Sequence, residues 1–179
     1  PKLNLTKRTY LNTEYLGFLT DTTNALLQHS PIKNIAVRQA MNYAIDRQKI
    51  VTYFRNGIGI PATSGFIPEG MPGYDSSHSY GYRYDPAKAL QLLADAGYSN
   101  GRGLSTLTVL TPDIYSDIVN FVAAQLQEVG IPVQVEIMQS NILRQQMSKS
   151  EAVFFRGQWI ADYPDAETYL VFFNGNLPS

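Results

Sequence analysis

From Asn34 to Ile45 the apolar residues Ile35, Val37, Ala40, Met41, Ala44 and Ile45 recur at near-helical spacing, with Pro31 and Asn34 ahead of them, which predicts a helix. Asp46 reads as the cap of a second helix, from about Arg47 to Arg55, stopped by Gly57 and Gly59. A third opens at Tyr84-Asp85-Pro86, with the acid as cap and the proline in the first turn, and runs through Ala96 to a glycine stop at Gly97. Ahead of these helices, Tyr10 to Leu19 mixes aromatic and β-friendly residues and predicts a strand, whereas Thr20 to Ser30 is polar and without period. Gly57 to Gly81 is rich in Gly, Pro and Ser and predicts a long excursion over the surface.

Beyond Gly103 two periods alternate. Leu104 to Leu110 reads as a strand, and Asp113 to Val129 as a helix with Ile118, Val122, Leu126 and Val129 on one face, closed by Gly130. Pro132 to Met138 is the next strand, Asn141 to Ser148 a short helix, and Val153 to Ile160 a third strand. Strands and helices that alternate with short connections predict right-handed βαβ units: an α/β fold with helices packed on a mostly parallel sheet.

The last of these strands belongs to Ala152 to Asp165, which passes from an apolar run into turn-formers carrying two carboxylates. In open α/β sheets ligands sit at the carboxyl ends of strands, so this stretch is the candidate site. Trp159, the chain's one tryptophan, precedes Asp162. An indole beside a carboxylate suits a ligand that has a positive nitrogen next to apolar bulk. The same residues also suit a plain turn at Asp162, Pro164 and Asp165, since Asp and Pro favour turns for conformational reasons. A small α/β hydrolase that uses Asp162 with Asp165 or Glu167 as paired carboxylates is a further reading of the same acids. Against it, a helix is predicted to begin near Ala166, which gives Asp165 and Glu167 capping or turn roles.

Composition narrows the partners. The chain has 179 residues, enough for one domain with a real core, and a net charge of -1 with no basic excess for nucleic acid or an anionic membrane. Cysteine is absent, so no disulfide framework or thiolate metal site arises, and no apolar run reaches membrane-spanning length. His29 and His78 belong to no metal-ligand pattern, and no Gly-x-Ser-x-Gly elbow occurs. The glycines from Gly97 to Gly103 leave a helix and enter a strand, the reverse of a phosphate-binding loop, so neither a nucleotide nor any other cofactor is predicted. Arg38, Arg47, Lys49 and Arg55 are spread around two helices and read as a solvated face. Asn4-Leu5-Thr6 matches a glycosylation sequon, a pattern short enough to arise by chance. The chain begins at Pro1 without a signal sequence and stops at Leu177-Pro178-Ser179 just after an apolar run, which leads us to expect a fragment.

Several segments resemble the peptide and nickel class, family five, of the solute-binding components of bacterial ABC importers. They are Val37-Arg38-Gln39-Ala40-Met41-Asn42-Tyr43-Ala44-Ile45-Asp46-Arg47, then Gly59-Ile60-Pro61-Ala62 and Tyr84-Asp85-Pro86-Ala87-Lys88-Ala89. Leu92-Leu93-Ala94-Asp95-Ala96-Gly97-Tyr98, Gln125-Leu126-Gln127-Glu128-Val129-Gly130-Ile131 and Trp159-Ile160-Ala161-Asp162-Tyr163-Pro164-Asp165 follow in the family's order, across nearly the whole chain. Two departures stand outside the site stretch: Thr20 to Asn34 is longer than the family's usual link, and Asn34-Ile35 stands where the family often has an acid.

The resemblance implies a periplasmic-binding-protein type II-like lobe, residues 1–179 being the C-terminal lobe, domain III, of a two-lobe receptor whose N-terminal lobe lies elsewhere in the same protein. It implies ligand capture without catalysis, in the periplasm or outside the cytoplasmic membrane, and delivery to ABC permease subunits. Oligopeptides or dipeptides are the expected cargo, and oligosaccharide, nickel and haem remain alternatives because the family binds all of these. Carried over by position, Asp162 holds a peptide's α-ammonium group, and Arg156 meets a ligand carboxylate. The backbone of Gln158, Trp159, Ile160 and Ala161 pairs with the extended peptide as an added strand, and Trp159 and Tyr163 wall side-chain pockets.

Overall fold

Four strands form one sheet in the computed structural model, which describes Thr6, residues 9–78 and residues 80–174. They are β1 (Asn12–Phe18), β2 (Leu107–Thr111), β3 (Val133–Ile137) and β4 (Phe154–Ile160), in the order β1-β4-β2-β3. β2 pairs in parallel with both β3 and β4, while β1 lies antiparallel along β4, from Asn12 opposite Ile160 to Phe18 opposite Phe154. The mostly parallel α/β sheet expected from the alternating periods is therefore present, and its one antiparallel member is the edge strand that reads as β from Tyr10 to Leu19.

Helices α1 (Ile35–Ala44), α3 (Pro86–Asp95) and α4 (Ser116–Glu128) enclose the core, in which Val37, Met41, Leu93, Val109, Leu126 and Phe154 are each at most 2% exposed. Side-chain caps set the helix starts: Asn34 Oδ1 accepts from Ala36 N, and Asp85 Oδ1 accepts from Lys88 N. On α4 the buried apolar residues are Val119, Val122, Ala123 and Leu126, so the stripe includes Val119 in place of the expected Ile118, which is only partly covered. α5 (Ser140–Ser148) links β3 to β4, and α6 (Glu167–Leu170) follows β4, starting where Asp165 Oδ1 accepts from Glu167 N. The connection from Gly57 to Gly81, ahead of α3, is the predicted long excursion; Phe66 from it lies on the sheet, its carbonyl accepting from Thr13 Oγ1 at 3.0 Å.

The second predicted helix differs from expectation. One α-helical turn, α2 (Arg47–Lys49), is capped by Asp46 and then widens into a π-helical turn over Ile50–Phe54. The cations assigned to a solvated face are mostly engaged. Arg47 bonds the carbonyls of Asn42 and Ile45 and Asn42 Oδ1, closing the carboxyl end of α1, and burial lowers its pKa. Arg38 donates to the Ile32 carbonyl at 2.6 Å, and Arg55 pairs with Glu14. Helical periodicity locates such residues around an axis, but their long stems reach carbonyls and acids that periodicity does not see. The Asn4-Leu5-Thr6 sequon, save Thr6, and the terminal Leu177-Pro178-Ser179 lie outside the described residues. Among the described residues no helix is long and apolar enough to cross a membrane.

Candidate ligand-binding site

β4 is paired along one side only at its carboxyl end. The Ala161 N–H donates to the Leu11 carbonyl and the Leu19 N–H to the Val153 carbonyl. Antiparallel alternation between these two bonds turns the N–H and C=O of Phe155, Gly157 and Trp159 toward β1, and those of Arg156, Gln158 and Ile160 toward the β2 side. β2 meets β4 at Leu110 opposite Phe155. The next ladder bond would require an N–H at residue 112, which is Pro112, and β2 ends at Thr111. Beyond Arg156 the β4 edge thus carries backbone groups of Gln158 and Ile160 with no strand beside them among the described residues. This is an open template for an extended chain, at the carboxyl end of the sheet.

The two faces of β4 differ in chemistry. One carries aromatic rings laid across glycines: Tyr15 lies over Gly157, where an added Cβ would meet the ring at 2.6 Å, and Phe155 lies over Gly17 in the same way. Trp159 continues this face, edge-on to Phe172 with centroids 4.9 Å apart, and its Nε1 donates to Thr168 Oγ1 at 3.1 Å. Tyr169, fully buried, donates its hydroxyl to the Leu11 carbonyl at 2.6 Å and closes the cluster from below. Burial raises the pKa of the Tyr15 hydroxyl.

The other face carries charge. Arg156 Nη2 stands 3.1 Å from Glu14 Oε2 and donates to Gln158 Oε1 at 3.1 Å. Its guanidinium stacks on Tyr115, 3.4 Å from the ring centre, and the Tyr115 hydroxyl donates to the same Gln158 oxygen. Arg55 donates to both Glu14 oxygens at 2.5–2.6 Å. Arg156 is 7% exposed, so the arginine that the resemblance assigns to a ligand carboxylate is covered and already holds a carboxylate of its own chain. Gln158 and Ile160 are exposed on this face.

After Ile160 the chain turns. Asp162, Tyr163, Pro164 and Asp165 are exposed and Ala161 is partly covered. Asp165 Oδ1 accepts from Glu167 N at 2.8 Å in the turn that leads into α6, and Glu167 Oε2 accepts from the Tyr163 hydroxyl at 3.4 Å. Asp162 has no cation beside it among the described residues, only its backbone N–H being held by Thr168 Oγ1 at 3.5 Å. The Tyr163 hydroxyl is held above its ordinary pKa, by desolvation first and then by the charge of Glu167, Asp165 and Asp162. Among the described residues no group of three or more His, Cys, Asp or Glu could hold a metal ion.

The sheet therefore brings Arg156, Gln158, Trp159 and Ile160 onto one strand end, with Ala161, Asp162 and Tyr163 in the turn that leaves it. Sequence reasoning missed Glu14, Arg55, Tyr115, Thr168 and Phe172. The one signal was a carboxylate in the middle of the β1 reading; its partner Arg55, 41 residues away, is joined to it only by the fold.

Comparison with known proteins bears on the family and the fold. The family described as bacterial extracellular solute-binding proteins, family 5 Middle, matches residues 1–179. Heme-binding protein A of Haemophilus influenzae is 39% identical over 101 residues, 56% of this chain and 17% of that protein. Glutathione-binding protein GsiB of Escherichia coli is 37% identical over 112 residues, 62% of this chain and 21% of that protein. Among solved structures, the periplasmic oligopeptide-binding protein OppAIV of Borrelia burgdorferi superimposes with a TM-score of 0.77 at 26% identity, covering 92% of this chain and 32% of that one. DppA of Helicobacter pylori, solved with the peptide STSA, gives 0.75 at 25% identity over 90% of this chain and 29% of that one. The chain thus spans about a fifth of its curated relatives and about a third of these structures. With a family match over its whole length, the chain belongs to the family 5 bacterial extracellular solute-binding proteins.

Proposed function

We propose that residues 1–179 form one lobe of a two-lobe receptor that captures short peptides outside the cytoplasmic membrane and hands them to the permease of an ABC importer. The observation that carries the peptide reading is the open edge of β4 beyond Pro112. Backbone groups of Gln158 and Ile160 bond any extended peptide regardless of side chain, which suits a receptor for mixed sequences. Asp162, exposed and without a cation beside it among the described residues, receives the peptide's ammonium group, while Trp159 and Tyr163 wall pockets for its side chains. The remainder of the receptor closes over this edge and excludes water. Similarity to OppAIV and to peptide-bound DppA supports this reading.

Binding without catalysis is favoured over the hydrolase reading by the acids themselves. Asp165 is engaged by the Glu167 N–H and Glu167 by Tyr163, which leaves Asp162 without a second free carboxylate in the turn. The test is native mass spectrometry of the full-length protein purified from its own cells. Bound masses that resolve into short peptides are expected. Haem, a nickel complex or an oligosaccharide as the sole bound species would overturn the peptide assignment and leave the family membership standing.

A further inference from the structure

We infer that Glu14 is a specificity-determining residue: an internal carboxylate that occupies the anion position on Arg156, so that the receptor takes ligands that bring a neutral group to this end of β4. The inference rests on the reading of the β4 edge as the ligand's place.

Glu14 lies on β1 directly opposite Gln158, on the face that also carries Arg156. Its carboxylate bridges two guanidiniums, Arg55 through both oxygens and Arg156 through Oε2 at 3.1 Å. Arg156 is fixed from its other sides by the Tyr115 ring at 3.4 Å and by Gln158 Oε1 at 3.1 Å. A ligand carboxylate that takes the Nη2 position on Arg156 must therefore displace Glu14, and a second carboxylate beside Glu14 is repelled by it. Displacement is opposed because two cations share the one acid, which holds Glu14 in place. The side chain of Glu14 is 35% exposed and that of Arg156 7%, so the acid is the member of the pair that faces outward. Without Glu14, Arg156 and Arg55 are left as paired donors with no anion, an arrangement suited to a carboxylate from outside.

The test uses the full-length protein with two probes. First, the thermal midpoint is followed in sodium acetate against sodium chloride at equal ionic strength, for wild type and Glu14→Ala. Acetate is expected to raise the midpoint of Glu14→Ala in a saturable way and to leave wild type at its chloride value; equal responses would overturn the inference. If Glu14→Ala does not fold, the double variant Glu14→Ala/Arg55→Met, with one stranded cation fewer, gives the same readout for Arg156. Second, calorimetry compares trialanine with trialanine amide. Wild type is expected to bind the amide at least as tightly as the acid, and Glu14→Gln to shift the ratio toward the acid by about tenfold or more. An unchanged ratio sinks the inference while the peptide reading stands. Acetate rescue in a protein that binds neither peptide sinks the peptide reading and leaves Glu14 as the internal anion on Arg156.

Discussion

At Gly157 a missing side chain does structural work. The Tyr15 ring occupies the space that a Cβ would fill, so the strand next to the candidate site is packed by a neighbour's aromatic ring. Gly157→Ala is expected to destabilise the protein by about 1–3 kcal/mol through overpacking, read from urea unfolding. Adding Tyr15→Ala should recover part of that loss, because the two residues contend for one volume. A Gly157→Ala variant as stable as wild type would mean that the ring moves aside freely. At this scale the sequence was legible wherever a residue acts on its own neighbours: Asn34, Asp46 and Asp85 cap the helices they precede, and Asp165 holds the Glu167 N–H in the turn before α6. It was illegible where a residue acts across the fold. Arg55 was read as solvated because its helical position says nothing of Glu14 on β1, and the pairing of Glu14 with Arg156 across the two strands was likewise out of view.

The elements were placed by periodicity, and the strand that carries the site came out within a residue of its expected start at Val153. What periodicity could not supply is the strand order, and the site depends on it. Only when β4 lies between β1 and β2 does Pro112, an ordinary turn residue in the sequence, become the reason that one edge of β4 is open. The same holds for the helix over Ile50–Phe54, whose π-helical widening leads the chain to Arg55 at the charged face. If a peptide adds to β4 as a strand, its N–H groups point alternately at β4 and away. N-methylation scanned along a bound peptide should therefore weaken binding to the full-length receptor at every second position, by about tenfold where a hydrogen bond is lost. Uniform sensitivity, or none, would contradict strand addition.

For the molecule as a whole, the sheet sets two unlike ends along one short strand: a turn with Asp162 beside no cation among the described residues, and a charged face where Glu14 already pairs with Arg156. In the proposed function, that polarity would orient a peptide with its ammonium toward Asp162. Enclosed by the rest of the receptor, the pair of Asp162 and ammonium is a desolvated, charge-assisted hydrogen bond, and removal of either partner strands the other. The central claim is tested most directly by calorimetry on the full-length receptor in a cycle of four measurements, with wild type and Asp162→Ala against a free and an N-acetylated peptide. Each change alone should cost about 3–5 kcal/mol, and both together much less than their sum. Equal affinity for free and acetylated peptides, or costs that simply add, would contradict the account.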